Sequence, residues 1–161
     1  MADFKDFEKG LQKIYDDALI STIRGVTQIG KAVGVELAKA TPVDTGRAQK
    51  NWEMSATESF NYQDSIEPQA FGNRQSVNYQ TVVSKLNQDA DRLVPAIKAR
   101  KLYEVYVGNV TPYLGYLNEG RSSQAPAGFL DSTASRAFRK YANELTSIIF
   151  NRRNAKKINA R

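Results

Sequence analysis

Hydrophobic residues near the N-terminus recur every three or four positions, which is the spacing of one face of an α-helix. The pattern runs from residue 3 to residue 39 and predicts one long helix there. Its apolar positions are Phe4, Phe7, Leu11, Ile14, Ala18, Leu19, Ile23, Val26, Ile29, Val33 and Leu37. Such a helix would be about 55 Å long, which is more than a compact domain of this size can cover. We therefore expect one end of it to project or kink, and to need a partner.

Two later stretches show the alternation that is typical of β-strands. Residues 47–57 form a weak pattern with Trp52, Met54 and Ala56 on one face. Residues 101–109 form a clearer one, KLYEVYVGN, in which β-branched and aromatic residues dominate. Between these two strands, residues 58–75 are polar and without a period, so they predict an exposed loop.

Helical spacing returns over residues 76–93, where Pro95 is expected to end the helix. A short helix over 112–119 is predicted to begin after Thr111, a good N-cap residue. The last predicted helix runs from residue 130 to about residue 153, with Asp131 or Ser132 as its cap. Its apolar stripe comprises Ala134, Ala137, Phe138, Tyr141, Leu145, Ile148 and Ile149.

These elements predict an α+β fold, because no βαβ rhythm and no internal repeat is present. We expect a long N-terminal helix, a small and mostly antiparallel sheet, and a C-terminal helix packed on it. Residues 1–150 are predicted to form a single domain, which a basic C-terminal tail, residues 151–161, follows.

Charge is unevenly distributed along the chain. The net charge is +6, and residues 121–161 carry nine Lys/Arg against two Asp/Glu, whereas the rest of the chain is nearly balanced. The basic residues at the end are Arg152, Arg153, Lys156, Lys157 and Arg161. Two interpretations remain open, a solvated mobile terminus and contact with phosphate, because clustered basic residues release counterions on binding DNA.

The composition removes several kinds of chemistry. The chain has no Cys, so disulfides and thiolate metal sites are excluded, and no His, the commonest general base near neutral pH. An enzyme would have to use carboxylates, lysine or hydroxyl groups. No apolar run approaches the roughly 20 residues that a membrane span needs, so no membrane segment is expected.

The segment TPVDTGRAQKNW at residues 41–52 contains Asp-Thr-Gly, the tripeptide of aspartic proteases. Those enzymes hold it in a mostly β fold where two carboxylates share a proton, whereas here it follows a long helix and Pro42. We interpret it as a turn, in which Asp44 and Thr45 bond nearby backbone amides and Gly46 supplies a positive φ. The protease stays as a weaker alternative.

Other chemical signals are weaker still. Asp89 and Asp91 form a carboxylate pair two residues apart, which on a helix do not face each other. We therefore interpret them as a solvated face rather than a metal site. The tyrosines of the second half are interpreted as half-buried sheet and interface residues, with stacking on bases as the alternative. These residues are Tyr103, Tyr106, Tyr113 and Tyr116.

Three segments occur in order along the chain: TPVDTGRAQKNW, then VGNVTPYLGYLNEG from residue 107, then APAGFLDSTASRAF from residue 125. Together they resemble the tail-completion and minor-tail (lambda protein Z-like) proteins of long-tailed bacteriophages. The matching residues are Thr41, Pro42, Val43, Asp44, Thr45, Gly46, Arg47, Trp52, Val107, Gly108, Pro112, Tyr113, Glu119, Gly120, Ala127, Phe129, Leu130 and Ala134.

The resemblance implies a structural virion protein that forms a ring, usually hexameric, at the head-proximal end of the tail. It implies assembly in the host cytoplasm, with a tail terminator, tail tube or head–tail connector as neighbours and possible non-specific contact with packaged DNA. It implies no catalytic residues, cofactor or metal. We take Ile23, Val26, Trp52, Tyr113 and Glu119 as interface candidates, although Trp52 is most simply interpreted as a core anchor. The five basic residues of the tail are candidates for facing DNA or a partner.

A small nucleic-acid-binding protein is the alternative, because of the basic last quarter. Another assembly protein, such as a capsid-side adaptor or a chaperone that leaves the particle, is also open.

Overall fold

The N-terminal periodicity forms one helix, α1, over Phe4–Ala40. The structure is a computed structural model, and it describes residues 4–43, 46–58, 60, 79–100 and 104–158. The helix ends as predicted, because the ring of Pro42 disfavours helical geometry at Thr41. The long N-terminal helix is therefore confirmed.

Two long helices pack against α1, and two short ones connect the elements. The four are α2 at Arg47–Lys50, α3 at Tyr79–Arg100, α4 at Leu114–Asn118 and α5 at Phe129–Ile158. The packing of the C-terminal helix on the N-terminal one is confirmed.

The sheet among the described residues has two antiparallel strands, β1 at Glu53–Ser55 and β2 at Tyr106–Gly108. Met54 lies opposite Val107. The α+β class is confirmed, but both strands are shorter than the alternation predicts. The first strand begins only at Glu53 because α2 takes up the preceding residues.

The core lies between the second half of α1, the sheet, α3 and the start of α5. Its larger apolar members include Ile23, Leu37, Trp52, Met54, Leu86, Leu93, Ile97 and Phe129. The predicted face of β1 is confirmed, since Trp52, Met54 and Ala56 are all buried.

Gly30 allows the sheet to approach α1 closely. A Cβ atom at Gly30 would lie 2.9 Å from Val105 Cγ1 and 3.1 Å from Met54 Cε. A methyl group would press on the side chains of Val105, just before β2, and of Met54 in β1, so this position favours a residue without a side chain.

Pro95 does not end its helix, contrary to the prediction. It lies inside α3, exposed between the buried residues Leu93 and Ile97. The missing proline N–H leaves the carbonyl of Asp91 without its helical donor, and Asp91 is also exposed. Solvent can therefore satisfy that carbonyl while the buried neighbours hold the helix in register.

The predicted caps of the last two helices are also wrong. α4 begins at Leu114 and not at residue 112, and the Oγ1 of Thr111 accepts a hydrogen bond from Asn51 instead of capping the helix. Asp131 and Ser132 lie within α5, whose first residue is Phe129.

The final helix is longer than its apolar stripe predicts. α5 continues to Ile158, so most of the predicted tail 151–161 is helical rather than a separate extended end. The predicted loop 58–75 lies almost entirely outside the described residues, except for Glu58 and Phe60.

Candidate functional site

The three segments that carry the sequence resemblance meet at one end of the core. The first of them begins at Thr41, directly after α1. The Oγ1 of Thr41 donates to the carbonyl of Leu37 at 2.7 Å and accepts from Nε1 of Trp52 at 2.9 Å. Both Thr41 and Trp52 are buried, so the ends of this segment are fixed to each other inside the protein.

The predicted turn contains a left-handed residue. Gly46 has φ 75° and ψ 0°, a conformation that costs any residue with a Cβ atom free energy. The positive φ at Gly46 is therefore confirmed. Asp44 and Thr45 lie outside the described residues, so their backbone hydrogen bonds stay a prediction, and Pro42 is half-buried beside the turn.

Asparagine side chains join the second segment to the first. Nδ2 of Asn109 donates to the carbonyl of Ala48 at 2.6 Å, and its Oδ1 accepts from the amide of Thr111 at 3.0 Å. Nδ2 of Asn51 donates to Oγ1 of Thr111 at 3.3 Å. Together these bonds hold the chain after β2 against α2.

The third segment is tied to the second by Asn118, the last residue of α4. Its Oδ1 accepts from the amide of Leu130 at 3.0 Å, and its carbonyl accepts from the amide of Gly128 at 2.7 Å. Asn118 thereby satisfies a free amide at the start of α5, the role that was predicted for Asp131 or Ser132. No local spacing identifies Asn118 as a cap, because it acts across the loop that precedes the helix.

One further bond closes the loop between α4 and α5 onto the first segment. Oε1 of Gln124 accepts from the amide of Val43 at 3.1 Å. The three segments therefore form a single hydrogen-bonded unit, which we call the junction and define as residues 41–43, 46–52, 107–121 and 124–130. Its polar groups hydrogen-bond to one another, so the junction fixes the relative positions of the three segments.

The outer face of the junction exposes aromatic and charged side chains. The guanidinium of Arg121 lies 5.3 Å from the ring centre of Tyr116, and its Nε donates to Oε2 of Glu119 at 3.1 Å. Tyr113 is also exposed. Tyr and Arg are enriched where proteins meet other proteins, and the interface candidates Tyr113 and Glu119 both lie on this face.

Two other interface candidates are not accessible. Ile23 is 2% exposed and Trp52 is 3% exposed, and both belong to the intrachain core. Their assignment as interface residues is therefore corrected: helical periodicity places Ile23 on an apolar face, but α3 and α5 of the same chain cover that face. Val26 is half-buried and lines a groove beside it.

Asp89 is not part of a solvated face, contrary to the prediction. Its Oδ2 accepts from the amide of Met54 at 3.0 Å and its Oδ1 from Nη2 of Arg92 at 3.0 Å. The side chain is buried and tethers α3 to β1. Asp91 is exposed as predicted. Within the described ranges, no three or more acidic side chains come together in a way that could hold a metal ion.

The tyrosines that were interpreted as half-buried sheet and interface residues have different surroundings. Tyr106 is half-buried in β2, Tyr116 is exposed on α4, and Tyr103 lies outside the described residues. Of the basic candidates, Arg152, Arg153, Lys156 and Lys157 belong to the helix α5, and Arg161 lies outside the described residues.

The sequence analysis missed the exposure of Phe138, which was assigned to the apolar stripe of α5 and is 56% exposed. The stripe pattern cannot reveal this, because exposure depends on which helix packs beside each turn. The exposed apolar residues near the start of α1 agree with the expectation that one end of that helix projects.

The chain is thus a mostly helical α+β protein, and the junction among its described residues exposes aromatic and charged side chains. No helix in the described part of the chain has the length and apolar character that crossing a bilayer requires. Comparisons with models of known protein families, with curated proteins and with solved structures find no match.

Proposed function

We propose that this chain is a structural protein of a tailed bacteriophage particle. In this role it forms an oligomeric ring, most simply a hexamer, at the head-proximal end of the tail and helps to join head and tail around the DNA channel. It has no catalytic role, cofactor or metal in this proposal. Its neighbours are a tail terminator, a tail tube protein or a head–tail connector.

The observation that supports this function is the junction. Three stretches that lie as much as 89 positions apart, from Thr41 to Leu130, each resemble a segment of the tail-completion family. In the folded chain they share direct hydrogen bonds through Asn51, Asn109 and Asn118. The first and second segments lie about 60 positions apart along the chain, so their contact does not follow from sequence neighbourhood and supports a common structural origin.

The surfaces of the chain support an assembly role. Tyr116, Arg121 and Glu119 form an exposed cluster on the junction, and α1 carries exposed Phe7, Leu11 and Ile14. Large exposed apolar side chains at helical spacing are typical of surfaces that another protein covers. A ring component needs two such surfaces, one for each neighbour.

The test is to locate the chain in particles. Antibody labelling of purified virions should mark the head–tail boundary, and particles lacking the chain should accumulate as separate heads and tails. Adding the purified protein to such particles should restore joining. Purified virions without the chain would overturn the proposal.

A nucleic-acid-binding protein is the second candidate, because α5 carries the basic excess along one helix. Residues 132–143 contain Arg136, Arg139 and Lys140 and no acid, and the same helix continues through Arg152 and Arg153. The dependence of DNA affinity on salt concentration distinguishes this candidate from the structural protein. If the free protein binds duplex DNA, the logarithm of its affinity should fall with the logarithm of the salt concentration, with a slope of about −0.9 per phosphate neutralised. A protein that assembles through protein contacts should instead bind its own copies without DNA.

A further inference from the structure

We draw no further inference here: the strongest candidate, the apolar groove between α1, β2 and α5 beside the exposed side chain of Phe138, carries none because nothing in the described part of the structure shows what covers it.

Discussion

The two halves of α1 have the same apolar periodicity and opposite surroundings. In the proximal half, residues 23–40, Ile23, Leu37 and Ala38 are buried in the core. In the distal half, which comprises residues 4–22, the side chains of Phe7 and Ile14 are exposed to solvent. A periodic pattern therefore predicts that a helix has an apolar face, but the burial of that face depends on which other elements reach it.

Helix lengths explain where the division falls. α1 has 37 residues and α3 has 22, so α1 extends for about 55 Å and α3 for about 33 Å. The sheet meets α1 at Gly30 and Gly34. α3 therefore spans only the proximal half, and the distal half extends beyond it, in agreement with the expectation that one end of α1 projects.

The largest expected effect comes from placing the same charge in both halves. Ile23→Asp would bury a carboxylate without a partner and should lower the free energy of unfolding by about 3–5 kcal/mol. Ile14→Asp, an identical change on the same helix, should change it by less than about 0.5 kcal/mol, since exposed sites are tolerant. Urea unfolding of both variants measures the difference. Equal losses would mean that the distal half is packed within the monomer.

A second pair compares carboxylates. Asp89→Ala removes the acceptor for the buried amide of Met54 and should destabilise the fold by about 1–3 kcal/mol, the cost of an unpaired buried donor. Asp17→Ala removes an exposed carboxylate in the distal half and should cost less than about 0.5 kcal/mol. Asp89→Asn keeps an oxygen acceptor and should recover part of the loss. If Asp89→Asn and Asp89→Ala melted alike, the hydrogen bond would not be the cause.

A third pair should give effects of opposite sign. Gly10→Ala meets no atom within 4 Å and should stabilise the distal half by up to about 1 kcal/mol, the helix preference of alanine over glycine. Gly30→Ala would press against Val105, whose β-branched side chain is stiff, and against Met54. Overpacking costs about 1–3 kcal/mol, so we expect a net loss of about 1 kcal/mol. Chemical denaturation of the two variants tests the sign, and two gains would show that the sheet moves away freely.

Much of the fold follows from local patterns, and the errors have a common cause. The long helix, the buried face of β1 and the positive φ of Gly46 were predicted because each depends on a few neighbouring residues. The end of α3, the cap of α5 and the burial of Asp89 were not, because each depends on packing or hydrogen bonds between different elements of the fold. Pro95 stays in its helix because Leu93 and Ile97 are buried, and Asn118 caps α5 from another helix.

The candidate surface was predicted only in part for the same reason. Tyr113 and Glu119 were chosen from a motif and are exposed. Ile23 was chosen from periodicity and is buried, whereas Phe138 was assigned to the packed stripe and is exposed. The groove beside Phe138 is formed by α1, β2 and α5 together, so no single stretch of sequence contains it.

The smallest expected effect lies at the solvent edge of the packed region, in β2. Oη of Tyr106 donates to Oε2 of Glu104 at 2.6 Å. This hydrogen bond raises the pKa of Tyr106 above its ordinary value, and burial and the charges of Glu104 and Glu58 act in the same direction. The folded state therefore holds the phenol proton more tightly than the unfolded state. Its contribution to stability is fully present below the pKa of an unfolded tyrosine, about 10, and is lost as the pH rises through the higher folded value.

Replacing the acceptor tests this coupling. Glu104→Ala removes both the hydrogen bond and the nearest charge, so it should lower the pKa of Tyr106 in an ultraviolet titration of the phenols. Glu104→Gln keeps an oxygen acceptor without the charge and should give an intermediate value. Tyr106→Phe should remove the corresponding step from the titration and so assign it. Since Glu58 acts only through its charge, Glu58→Gln should have a smaller effect than either change at Glu104. If the pKa of Tyr106 in Glu104→Ala equalled that in the unchanged protein, the hydrogen bond and the charge of Glu104 would not be the cause of the raised pKa.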